Sequence, residues 1–212
     1  YKQRLNKSRR RREQLSLEIK SIRSQLNPHF IFNALTSIQG LINKNDVPAA
    51  NRYLTEFSTL LRETLHNSEK EMVPLVTEIN LLETFLKLEQ LRCNFKYAIE
   101  IDETINKNST EIPNLVLQPL VENAIKHGVS TLGENGFIKI DFIKRNNDLL
   151  VSIMDNGKNF ESTQTNGGFG LKLTRSRISL LSETVKEQPI SLSIDRRDDQ
   201  QTVVNLVFTN WL

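Results

Sequence analysis

The spacing of apolar residues changes character along this chain, and that change restricts its fold more than any single residue does. Up to about residue 92 apolar side chains recur three or four positions apart, the period of a helix. Several later stretches alternate at every second position, the period of a strand. A chain of 212 residues with this division is expected to form a helical unit followed by a unit that mixes helices and strands.

Leu15, Ile19, Ile22 and Leu26 form a narrow apolar seam of coiled-coil type, which predicts a parallel dimer stem. Asn27-Pro28 interrupts the seam, because proline lacks a backbone donor and crowds the preceding turn, so a kink or a restart is expected there. His29 follows directly. Phe30, Ala34, Ile38, Leu41 and Ile42 carry an apolar face as far as a turn at Asn43-Lys44-Asn45-Asp46. A second helix follows Pro48, with Tyr53, Phe57, Leu60, Leu61 and Leu65 on one side, and ends near His66-Asn67. Two such helices make a hairpin, and two hairpins make a dimeric four-helix bundle. The first domain is therefore expected over residues 1–68 and the second over 69–212.

In the second domain a helix after Pro74 carries Ile79, Leu82, Leu86 and Leu91, and the alternation of Phe95, Tyr97, Ile99 and Ile101 reads as a strand. A helix after Pro113 runs through Leu117, Val121, Ala124 and Ile125 and is expected to stop at Gly128. Strands are expected at 137–143 and 149–154, a glycine-rich loop at 156–170, a helix from Leu171 to about Val185, and strands at 190–194 and 202–208. Such an order suits an α+β two-layer sandwich better than a doubly wound parallel sheet.

Charge and cysteine content narrow the function classes. The net charge of +3 is local, since Tyr1 to Arg23 holds 9 basic and 2 acidic residues. A run such as Arg9-Arg10-Arg11-Arg12 suits the anionic cytoplasmic face of a membrane, a nucleic acid, or a solvated helix face. Few aromatic residues interleave with it, so a stacking surface for nucleic acid is disfavoured and no direct nucleic-acid partner is expected. The single cysteine, Cys93, rules out an internal disulfide framework and fits a reducing compartment. No apolar run reaches the ~20 residues of a spanning helix. The first residue is Tyr1, so a fragment whose membrane portion lies upstream is the expectation.

Three segments carry chemistry. In Leu117-Gln118-Pro119-Leu120-Val121-Glu122-Asn123-Ala124-Ile125-Lys126-His127-Gly128, a carboxylate, an amide and a cation fall within about one helical turn. This set suits a magnesium-triphosphate site, although on these residues alone the polar face of an amphipathic helix is the commoner explanation. Val151 to Gly157 is an apolar strand ending in Asp155-Asn156-Gly157, which is also a common hairpin signal. Gly167-Gly168-Phe169-Gly170-Leu171 leads into a helix, where exposed N–H groups favour phosphate, although flexible loops share that composition.

Their order resembles the ATP-binding domain of the GHKL superfamily, with its Bergerat-type sandwich. Gln118 to Gly128 is similar to the form found in LytS/YehU-type sensor histidine kinases, and Leu26-Asn27-Pro28-His29-Phe30-Ile31-Phe32-Asn33-Ala34-Leu35 resembles their phosphoacceptor motif. Val73-Pro74-Leu75 and Leu88-Glu89-Gln90-Leu91-Arg92 match their connecting helix. The resemblance implies ATP and Mg2+ as cofactors, with Asn123 supporting the metal and Glu122 beside it. It further implies Lys126 and His127 at the phosphates, Asp155 on the adenine amino group and Gly157 under the base. Gly168 and Gly170, leading into Leu171, would form the lid. The implied activity is autophosphorylation of His29 and phosphotransfer to an Asp of a response regulator receiver domain. A homodimer at the cytoplasmic side of a bacterial inner membrane is implied as well.

Neutral imidazole is a competent nucleophile near pH 7, its ordinary pKa being about 6.5. Asn33, four residues on, shares its helical face and is a candidate to orient the second ring nitrogen. Two departures from the family pattern stand out. Lys158-Asn159 occupies the place of a second glycine, which motivates an alternative reading as a nucleotide-binding scaffold of weak catalytic power. Phe30 stands where many histidine kinases of other subfamilies place a carboxylate; the resembled subfamily shares this apolar choice, which leaves the general base unassigned.

Overall fold

The computed structural model describes residues 28–67, 70–157, 175, 178, 189–196 and 201–212. The Leu15 to Leu26 seam, the arginine run, Lys158-Asn159, the glycine segment with Gly168, Gly170 and Leu171, and most of the helix expected after it lie outside the described residues. The chain divides into two compact units between Glu71 and Met72.

In the first unit, α1 (Pro28–Asn43) and α2 (Val47–Asn67) form a hairpin. The turn is set by Asn45 at φ 58°, and the Asp46 carboxylate accepts the Ala49 N–H at 3.1 Å, capping α2. Tyr53, Phe57, Leu60, Thr64 and Asn67, spaced four, three, four and three apart, form the buried line of α2. Leu65 was expected on that line but is exposed, because the stripe continues through Thr64 instead. On α1, Phe30 and Ala34 are buried and Ile42 is exposed. The rings of Phe30 and Phe57 stand 5.8 Å apart, fastening the start of α1 to α2.

The second unit contains β1 (Met72–Pro74), α3 (Leu75–Cys93), β2 (Lys96–Ile101), β3 (Glu111–Pro113), α4 (Gln118–Asn123), β4 (Phe137–Arg145), β5 (Asp148–Asp155), β6 (Ile190–Arg196) and β7 (Thr202–Phe208). Five strands make a mixed sheet in the order β2-β4-β5-β7-β6, with β2 and β4 parallel and the other pairs antiparallel. The register places Tyr97, Ile99, Ile138, Ile140, Phe142, Val151, Ile153, Val204 and Leu206 on one face. The opposite face carries Glu100, Lys139, Asp141, Asn205 and Asp195, linked by Lys139–Glu100 and Lys139–Asp141 ion pairs. One face is thus apolar, while the other mixes these polar residues with Leu150, Met154, Val203 and Val207, and the apolar face is the one that helices cover in a two-layer α+β sandwich.

A two-stranded antiparallel pair joins β1 to β3, whose three-residue strands are too short to show a period in the sequence. Nearly every side of α3 is buried, so its apolar residues do not mark one face. Leu91, expected in the core, is 65% exposed and falls in line with the exposed Asn80 and Lys87. Asn94 ends α3 in a left-handed conformation, with its N–H bonded to the Gln90 carbonyl at 2.8 Å. Among the described residues no helix is long and apolar enough to cross a membrane.

Candidate active site

The segment expected to stop at Gly128 does not stop there. After α4 the chain widens into a π turn over Ala124–Val129, and the Ser130 N–H reaches the Ile125 carbonyl at 2.8 Å. Gly128 is buried inside this turn and packs against the end of β5. A β-carbon on Gly128 would lie 2.6 Å from the Asp155 carboxyl carbon, and one on Gly157 would lie 2.5 Å from the Gly128 carbonyl carbon. The glycine therefore serves close backbone approach, not helix termination.

Asp155 closes β5 on the apolar face, opposite Ile138 on one side and Thr202 on the other, and is 4% exposed. Burial pushes its carboxyl up to about 6 from an ordinary 3.8, partly countered by the Gly157 N–H that donates to Oδ1 at 2.9 Å. The Asp-Asn-Gly sequence makes no hairpin here. The hairpin of β5 is with β4 at its other end, where Asn146 has φ 55°. Asn156 instead ties down the start of β4, its Oδ1 accepting the Phe137 N–H at 2.7 Å and its Nδ2 donating to the Asn135 carbonyl at 2.8 Å.

Asn123 ends α4, directly before the π turn, and its Nδ2 is buried without a hydrogen-bond partner among the described residues. Such an amide suits an acceptor oxygen of the kind a phosphate offers, and its own oxygen is of the hard type that a divalent cation takes. Glu122 is half-buried, and Lys126 and His127 are exposed beyond it. Burial of part of the ring, then the Lys126 charge, holds the His127 imidazole below its ordinary value, so it is neutral at pH 7. The structure thus brings Asp155, Gly157 and Gly128 into contact and sets Asn123 within the same helical segment as Gly128. His29 and Asn33 lie on α1 of the other unit, four residues apart.

Two residues that the local sequence does not mark, Thr202 and Glu78, are buried in this unit. Thr202 is buried beside Asp155 in strand register, a position no local motif announces. Glu78 reads as a solvated helix residue, yet it is buried and accepts backbone N–H groups from Leu115 and Leu117.

Residues 17–97 match the histidine kinase family model. The chain is 33% identical over 161 residues to the sensor histidine kinase BtsS of Escherichia coli strain K12, covering 76% of this chain and 28% of that protein. It is 34% identical over 141 residues to the sensor protein LytS of Bacillus subtilis strain 168, covering 66% and 24%. The chain spans about a quarter of the length of these relatives. The histidine kinase domain of the blue-light activated histidine kinase EL346 from Erythrobacter litoralis shares the fold, with a TM-score of 0.52 at 16% identity over 94% of this chain and 96% of that one. On the family model and these relatives together, the chain is similar in sequence to sensor histidine kinases of the BtsS and LytS kind.

Proposed function

We propose that this chain is the catalytic core of a sensor histidine kinase of a two-component system, which uses ATP to phosphorylate its own His29 and passes the phosphoryl group to an Asp of a response regulator receiver domain. The observation that carries the reading is Asp155, a buried carboxylate at a strand end, seated against glycine backbone and next to Thr202. An ionised carboxylate accepts a hydrogen bond from the exocyclic amine of adenine and repels the carbonyl of guanine. The Thr202 hydroxyl, able to donate and accept, adds a second polar group at the base.

Asn123 would hold Mg2+ with the phosphates, with Glu122 beside it, and Lys126 and His127 would border the triphosphate. The cation would neutralise charge on the leaving phosphates. Gly157 would lie under the base, and Gly168 and Gly170, followed by Leu171, would close over the phosphates. At His29 one ring nitrogen forms the bond to the γ-phosphorus as the bond to the bridging oxygen breaks, its electrons leaving with ADP. Asn33 is suited to orient the other ring nitrogen.

The hairpin unit is assigned the phosphoacceptor and dimerisation roles, and the sandwich unit the nucleotide. Exposed Phe32, Leu35, Ile42, Val47, Leu54 and Leu65 on α1 and α2 leave apolar surface suited to a second copy of the hairpin. The basic segment before α1 suits the cytoplasmic face of a bacterial inner membrane. Competition between ATP and GTP in the presence of Mg2+ tests the nucleotide assignment. A preference for ATP that Asp155→Asn abolishes supports it, and equal binding of the two nucleotides contradicts it.

A further inference from the structure

Glu78 sits in the first turn of α3, 1% exposed, with both carboxyl oxygens turned onto a loop far ahead in sequence. The Leu115 N–H donates to Oε2 at 2.9 Å and the Leu117 N–H to Oε1 at 3.1 Å. Leu115 holds φ at 53°, a left-handed conformation that costs a leucine free energy and persists when its surroundings enforce it. The whole loop, Asn114 to Leu117, is buried.

That loop delivers α4. Leu117 is the residue at its N-terminal boundary and provides no side-chain cap, and Pro119 near its start has no N–H to offer. The beginning of the helix is therefore set from outside, by the carboxyl group of α3. Six residues after Leu117 comes Asn123, and the π turn with Gly128 follows at once. The loop also continues β3, which pairs with β1 through Val73 and Ile112, so the strand that opens the second unit and the helix that follows it both bear on the same segment.

We infer that Glu78 is a positioning residue for the nucleotide site: by gripping the Leu115 and Leu117 N–H groups it fixes the left-handed turn and hence the placement of Glu122 and Asn123. This rests on the nucleotide reading proposed above and extends it to a side chain that never touches ligand. Replacement by glutamine keeps one acceptor oxygen but turns an NH2 group towards the second backbone donor, so one of the two bonds becomes a donor facing a donor.

The test uses Glu78→Gln in the full chain, with Glu89→Gln as control; Glu89 is equally buried on α3 but pairs with Arg92 of its own helix. In autophosphorylation assays Glu78→Gln is expected to raise KM for ATP about tenfold while leaving the rate at saturating ATP within about threefold of the parent, the scale of one lost buried hydrogen bond. Amide exchange at Leu115 and Leu117 should accelerate, with β4 and β5 keeping parental protection as evidence of an intact fold. Glu89→Gln should leave KM unchanged. The proposal is overturned if Glu78→Gln keeps the parental KM, or if Glu89→Gln raises KM as much. A parent chain that binds no Mg·ATP removes the nucleotide reading and this proposal together, an outcome distinct from a parent that binds while Glu78→Gln binds equally well.

Discussion

Gly128 and Asp155 meet so closely that a single added methyl group on the glycine would fall 2.6 Å from the carboxyl carbon of the aspartate. The π turn makes this approach possible by carrying Gly128 inward where a regular helix would end. Gly128→Ala must therefore displace either the carboxylate or the helix. Overpacking of this kind is expected to destabilise the fold by about 1–3 kcal/mol and to weaken ATP binding beyond detection in the folded fraction. Thermal melting and calorimetric titration with Mg·ATP check both parts.

Asp155 makes stability depend on pH in a direction opposite to that of an ion-paired carboxylate. Its folded carboxyl titrates at about 6 against an ordinary 3.8, so between those values the folded chain retains a proton that the unfolded chain has lost. Stability should fall as pH rises through that window and level off above it, the whole effect being about 3 kcal/mol as an upper bound. Asp155→Asn should remove this decline and be more stable than the parent at pH 7, which denaturant melts at pH 4, 5, 6 and 7 would reveal. In the parent, ATP affinity should drop about tenfold for each unit below pH 6, as the acceptor becomes protonated.

The Phe30–Phe57 contact fixes the first turn of α1, where His29 lies. Phe57→Ala is expected to destabilise the hairpin by about 3–5 kcal/mol and to lower His29 phosphorylation. Mg·ATP affinity should stay at the parental value, because Phe57 belongs to the other unit. Loss of nucleotide binding in this variant would refute the division of labour.

Ile42 and Leu54 are exposed large apolar residues on α1 and α2. If a second hairpin covers them, Ile42→Glu with Leu54→Glu should raise the dimer dissociation constant at least about a hundredfold, since each places a charge in an apolar contact. Sedimentation equilibrium reads this directly. A variant as dimeric as the parent would place the contact elsewhere.

Long elements were legible in the sequence because their periods repeat. The alternation in β4, β5 and β7 and the helical spacing of α1 and α2 survive into the structure with boundaries shifted by a residue or two. Features that depend on another element were not legible. Lys126-His127-Gly128 carries the same residues as an ordinary helix end, yet it lies in a π turn packed against the end of β5. Glu78 differs from a surface glutamate through its bond to a loop 37 residues away. Thr202 becomes notable once β7 is known to lie beside β5. Leu65 and Leu91 misled because helices rich in leucine present apolar residues on more than one side.

Phosphoryl transfer from a site built around Asn123 to His29 can be followed by labelling with γ-labelled ATP and Mg2+. Acid-labile label is expected on the parent chain, none on His29→Gln although that variant still binds ATP, and little or none on Asn123→Ala. Labelling that persists at the parental level in both variants would contradict it.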